Sequence, residues 1–230
     1  MLDLFDISET IIDTRMALHF AFSPRDEAKA WKCFVIGHPR NGTTSLHHLF
    51  LSSGRSSIHT ADDWPTNQAD CFSDKGQNRP FKAYDHYYEN AQFILNCRPV
   101  GHYLRSLEHV FQRDFSAHTF KREIKRRAAH FDRVLAYFSA AKNLIVVNIE
   151  KPGAMDFVAD RLGLNPTTEA RNTVQNPAKR APSAANLKSI SQALEALEVS
   201  PQDPLLAKSL SAQMSFDSLQ QMQAQGRVHL

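Results

Sequence analysis

The residues of this chain best equipped for chemistry stand together between Gly37 and Ser45: Gly37, Pro39, Arg40, Asn41, Gly42, Thr43, Thr44 and Ser45. Glycines let a backbone turn sharply and approach a ligand closely. A guanidinium and neighbouring hydroxyls can donate hydrogen bonds to an oxyanion. The flanking residues say how the group is held. Cys33, Phe34, Val35 and Ile36 make a short β-branched and aromatic run, and Leu46, Leu49 and Phe50 recur at helical spacing before Gly54 stops the helix. A loop that closes a strand and opens a helix aims free N–H groups and the positive end of the helix dipole at one point, so the expected ligand is an anion. The plainer alternative is a turn capped by Thr43 and Ser45, with no ligand.

Which anion is decided by what the loop lacks. Gly37 and Gly42 have the spacing of the glycines in G-x-x-x-x-G-K-[ST], but Thr43 stands at the lysine position and Thr44 follows it. A basic residue appears earlier, at Arg40, where its guanidinium is expected to straddle the bridging region of a bound nucleotide. An ATP-hydrolysing enzyme without the lysine would be severely impaired. Proline, a basic residue, a small residue and then Gly-Thr-Thr-Ser resembles the 5′-phosphosulfate loop of the sulfotransferases that use 3′-phosphoadenosine 5′-phosphosulfate (PAPS), a branch of the P-loop folds.

A second resemblance lies downstream. The apolar run Gln92–Cys97 delivers Arg98 at its carboxyl end, where parallel α/β sheets place ligand contacts, and Ser106 follows eight residues later. In the family an arginine and a serine so placed hold the 3′-phosphate. Pro99 and Val100 depart from the family's usual turn, in which an acidic or amide residue precedes proline. The run NLIVVNIE, residues 143–150, ends in Glu150, and Leu162-Gly163-Leu164 closes the following helix, also as in the family. The resemblance covers about residues 32–165. It implies PAPS as donor, Arg40, Asn41, Gly42, Thr43, Thr44, Ser45, Arg98 and Ser106 as its contacts, and no metal. It also implies a basic loop closing over the nucleotide, for which Lys179 and Arg180 are candidates, and a general base near a strand end between the two nucleotide motifs. Asp74 ranks first for that role, His59 second and His86 third. Asp62-Asp63 is the one acidic pair that would merit attention as a metal ligand.

The elements positioning these residues read as strands alternating with helices. Short strands are expected at Arg55–Thr60, presenting His59, and at Asp70–Ser73, ending at Asp74. A helical turn over Phe81–Tyr88 precedes the Arg98 strand. Tyr103, Leu104, Leu107, Val110 and Phe111 trace one helix face, and Phe120 to Phe138 trace another over Thr119–Ala140. KREIKRR, residues 121–127, reads as the solvated face of that second helix; without interleaved aromatics it gives little support for nucleic-acid binding. Residues 1–30 read as a helical segment, 31–165 as the nucleotide core, and 166–230 as a loop and helical tail, with two helices between Leu187 and Gln225. The expected fold is a single three-layer α/β/α domain of P-loop nucleotide-binding type, with a parallel sheet and a helical C-terminal region.

Composition sets wider bounds. A chain that is 42% hydrophobic and 22% charged is an ordinary globule. Twenty-seven basic against 24 acidic residues is too even to argue for nucleic acid. The start MLDLFDISET lacks the basic and apolar regions of a secretory signal, so a cytoplasmic protein is expected, without a membrane-spanning segment. Cys33, Cys71 and Cys97 have no metal-ligand spacing and are expected to be reduced core residues. These readings lead to a sulfotransferase acting on a small-molecule, carbohydrate or lipid acceptor. Two rivals stay open: a P-loop kinase or NTPase with a displaced basic residue, and a nucleotide-binding protein without catalysis.

Overall fold

The computed structural model describes residues 14, 18, 20, 28–59, 69–73, 80–138, 143–167, 182–205 and 222–229. Its elements are β1 (Trp31–Val35), α1 (Thr43–Ser52), β2 (Ser57–His59), β3 (Cys71–Ser73), α2 (Phe81–Tyr87), β4 (Asn90–Cys97), α3 (Val100–Phe111), α4 (Ala117–Tyr137), β5 (Leu144–Asn148), α5 (Ala154–Leu162), α6 (Ala184–Glu195) and β6 (Val228–His229). All strand pairings are parallel, and the order across the sheet is β2-β3-β1-β4-β5-β6. The chain is therefore an α/β fold.

Alternation along the strands supplies both faces of the sheet. Phe34, Phe72, Phe93, Leu95, Leu144 and Val146 point into one core, packed by residues of α2, α3, α4 and α6. Cys33, Val35, Cys71, Ile94, Ile145 and Val147 point into the other, against α1 and α5. A strand buried on both sides must be apolar at every position, which is why these runs look continuous rather than alternating. The three cysteines are free and buried, as expected of small core residues.

The sheet fixes where a ligand would sit. Strand β1 has β3 on one side and β4 on the other, so the chain winds outward from β1 in one direction and then returns to continue in the other. At such a reversal the connections leave a crevice at the carboxyl ends of the strands. Both the loop 37–45 and Arg98 emerge there.

Three local outcomes differ from the sequence reading. Helix α4 begins two residues earlier than expected, because the Ser116 hydroxyl caps it by accepting the Thr119 N–H. Arg127 is not on the solvated face: it is 0% exposed, as it shares a stripe with Phe120, Ile124 and Phe131. The C-terminal region is not wholly helical, since Val228 and His229 pair with Val146 and Val147 as β6. The expected helical segment 1–30 and the second tail helix lie largely outside the described residues. Among the described residues, no helix is long and apolar enough to cross a membrane.

Candidate functional site

The loop after β1 is held in shape by its neighbours. The Gly37 N–H donates to Asn96 Oδ1 at 3.0 Å, and Asn96 Nδ2 donates to the Asn41 carbonyl at 2.8 Å. One buried side chain of β4 thus spans the loop from its first residue to its fifth. A Cβ at Gly37 would stand 2.1 Å from Asn96 Oδ1, so the bridge requires glycine there. Gly42 has φ 90° and faces Ile149, whose Cδ1 would lie 2.5 Å from an added Cβ.

Gly42 is also the N-cap of α1, and it has no side chain to occupy the leading N–H groups of the helix. The Ser45 and Leu46 N–H groups donate to the Gly42 carbonyl, which leaves those of Thr43 and Thr44 at the head of the helix. Thr43 and Ser45 are inside the first turn, so neither is the N-cap that the plainer sequence alternative supposed. Asn41 is fully buried, and neither atom of its side-chain amide has a hydrogen-bond partner among the described residues. Open N–H groups, hydroxyls and an unsatisfied amide beside a glycine that tolerates no Cβ fit a tetrahedral oxyanion.

Beside the loop lies a second cluster, built of charges. Arg98 leaves the end of β4, and its Nη1 donates to the Arg40 carbonyl at 3.4 Å. Its Nε donates to Glu150 Oε1 at 2.7 Å, and its Nη2 lies 2.5 Å from the same oxygen. The other carboxylate oxygen of Glu150 meets His102 Nδ1. The Arg40 side chain turns to α3, where its Nε and Nη2 donate to Ser106 Oγ at 3.1 and 3.0 Å. Arg40, Arg98 and Ser106 are thus brought together, with Arg40 belonging to both clusters: its backbone to the loop, its guanidinium to Ser106 on α3.

Of the base candidates, His59 stands beside the loop. The β2–β3 register sets His59 opposite Ser73. His59 Nδ1 lies 3.2 Å from the Ser73 carbonyl and 3.1 Å from its hydroxyl, while Nε2 lies 3.2 Å from Thr44 Oγ1. A carbonyl only accepts, so Nδ1 carries the proton and Nε2 is left with its lone pair toward Thr44. His86 is exposed in the last turn of α2, which leads to the amino end of β4, whereas the loop 37–45 leaves the carboxyl end of β1. Asp74, Asp62, Asp63, Lys179 and Arg180 lie outside the described residues.

The far wall of the loop holds residues that sequence reasoning passed over. His38, Pro39 and Arg40 border a cavity of about 340 Å³ whose other walls come from α3, α4 and the turn between them. Among the described residues, none from segment 55–90 or from the C-terminal third lines this cavity. His38 sits edge-on to Tyr103 and His130. Burial, reinforced by the charge of His130, lowers its pKa to about 3. His130 is structural, its Nε2 donating to the Ile36 carbonyl at 2.7 Å.

Arg127 donates to the carbonyls of Arg98 and Pro204 and lies against the Tyr103 ring, 4.8 Å from its centroid. Burial lowers its pKa to about 10, which still leaves it charged at neutral pH. Its position was legible in principle, because Arg127 follows Ile124 by three residues and precedes Phe131 by four.

Searches with this chain match no family model, no curated protein and no solved structure.

Proposed function

We propose that this protein is a sulfotransferase that uses PAPS as donor and modifies a hydroxyl or amine of a small-molecule, carbohydrate or lipid acceptor. One observation carries the reading: a cradle of N–H groups at the end of β1 adjoins an Arg98–Arg40–Ser106 cluster at the end of β4, with Arg98 Nη1 3.4 Å from the cradle's own Arg40 carbonyl. Two anion sites side by side suit one nucleotide carrying phosphate at both ends.

When bound, the donor supplies the sulfuryl group and departs as the 3′,5′-bisphosphate. The chain's contribution is to grip and to neutralise charge. The N-terminus of α1 and the hydroxyls of Thr43, Thr44 and Ser45 face the oxygen on which charge grows, and fixed donors cost no reorganisation at that moment. Arg98 and Ser106 hold the 3′-phosphate, with Arg98 exchanging Glu150 for the more highly charged ligand. His59, held by Ser73, is the acceptor of the hydroxyl proton on this reading, and its Nε2 lone pair already points toward Thr44. Asp74, one residue beyond β3, is the other candidate.

Differential scanning fluorimetry tests the donor. A ligand bound only by the folded state raises Tm by mass action. Adenosine 3′,5′-bisphosphate is expected to raise it more than ATP with magnesium. The reverse order would favour the kinase or NTPase alternative.

A further inference from the structure

We propose that the cavity bordered by His38, Pro39 and Arg40 binds a small molecule with a flat apolar body and one anionic group, and that this molecule is the acceptor. The second clause rests on the sulfuryl-transfer reading; the first does not. At about 340 Å³ the cavity is at the lower end of the size usual for small-molecule sites. Leu107, Phe111, Phe115 and Phe120 give it apolar walls. Phe111 is 54% exposed, which leaves an aromatic face open to solvent at the lining.

The charged lining is one-sided. The lining carries four guanidinium groups, those of Arg40, Arg113, Arg122 and Arg126, and one carboxylate, that of Glu123. That carboxylate is shared, lying 3.1 Å from Arg126 Nη1 and 3.8 Å from Arg122 Nε. The Arg113 guanidinium is laid over the Phe115 and Phe111 rings, 4.9 and 5.5 Å from their centroids. Flat cations resting on flat rings make a surface that offers stacking and charge together. Four guanidinium groups around one apolar cavity repel each other, and an anion seated among them relieves that repulsion while its body covers the rings. A neutral sugar would meet few groups able to replace its hydration, because the apolar walls offer no partners. The shared wall matters for function. His38–Arg40 belong to the cradle loop, so a ligand in the cavity rests on the loop that also forms the candidate donor site.

The test is a fluorescence titration comparing 6-hydroxy-2-naphthoate with 2-naphthol, which shares the ring and hydroxyl but lacks the carboxylate. The full chain is expected to bind the naphthoate about tenfold more tightly. In the Arg122→Gln/Arg126→Gln double variant that preference is expected to fall to about twofold, with 2-naphthol binding unchanged. Glu123→Gln, which removes the competing carboxylate, is expected to tighten naphthoate binding about threefold. A gain of this kind cannot come from misfolding. Equal binding of the two probes by the unaltered chain, or weaker naphthoate binding in Glu123→Gln, would overturn the proposal. Adenosine 3′,5′-bisphosphate, titrated separately, keeps the two readings apart. Nucleotide binding without naphthoate preference rejects the cavity assignment and leaves the donor assignment intact. Naphthoate preference without nucleotide binding upholds the site and rejects its role as acceptor.

Discussion

The cradle loop and the arginine cluster beside it face the same crevice and are held by opposite means. Residues 37–42 are fixed by backbone hydrogen bonds to one buried amide, Asn96, and by two glycines that fit where no Cβ would. The cluster of Arg40, Arg98, Ser106, Glu150 and His102 is fixed by side chains that satisfy each other. The first arrangement forms with the fold and cannot be exchanged. The second consists of bonds that a phosphate can replace one for one. A site built this way has a rigid floor and a displaceable wall, so damage to the floor should appear as lost stability and damage to the wall as lost ligand discrimination.

The largest expected effect falls on the floor. Gly37→Ala drives a methyl into both the Asn96 side chain and its carbonyl, at 2.1 and 2.2 Å, and should cost about 3 kcal/mol or more in urea denaturation. A loss under about 1 kcal/mol would mean that the loop is not clamped as described. Asn96→Ala should follow closely. It strands the Gly37 N–H and the Asn41 carbonyl in the interior, at about 1–3 kcal/mol for each unsatisfied group.

Acid should weaken the floor next. His38 stays neutral in the fold down to about pH 3, whereas in the unfolded chain it takes up a proton below its ordinary 6.5. Its contribution is intact above pH 6.5 and is lost progressively as pH falls toward 3, at a limiting slope of about 1.4 kcal/mol per pH unit. His47, lowered to about 4 by burial and then by the charges of His59 and His48, adds in the same direction over a narrower range. His38→Gln should flatten the stability profile between pH 6.5 and 5. A profile unchanged by that substitution would contradict a desolvated, neutral His38.

The smallest effect on folding belongs to the wall. Ser106→Ala removes the acceptor of two Arg40 N–H bonds and should cost under about 1 kcal/mol of stability, because Arg40 is part-exposed and can turn to water. The same change should weaken binding of adenosine 3′,5′-bisphosphate about fivefold. If it instead destabilises the protein as much as Gly37→Ala, the contrast between floor and wall is wrong.

How far the sequence could be read follows from the same contrast. The strand-loop-helix over Cys33–Gly54 was legible because glycines and hydroxyls interrupt an apolar pattern at one place, and β4 was legible because Phe93, Ile94 and Leu95 form an unbroken apolar run. The role of Asn96 was not, since a single polar residue near the end of that run reads as its boundary and only the packing of β4 against β1 gives it two partners. The pairing of His59 with Ser73 depends on a register between two three-residue strands, which no periodicity reports. Strand β6 has two residues and exists through its neighbour β5, so it had no pattern of its own to show. The cavity draws on Pro39, Leu107, Phe115 and Arg126, which are far apart in the chain and meet only after α3 and α4 pack. Arg127 was lost among six other residues of a basic run although its spacing from Ile124 and Phe131 marked it.

The central claim is that the crevice holds one nucleotide by both of its phosphate ends. Isothermal titration of adenosine 3′,5′-bisphosphate and adenosine 5′-monophosphate, against the unaltered chain and Arg98→Ala, measures it directly. The account predicts that the bisphosphate binds the unaltered chain at least about tenfold more tightly and that Arg98→Ala brings the two nucleotides close to parity. Equal affinity for both nucleotides in the unaltered chain, or a preference that survives Arg98→Ala, would contradict it.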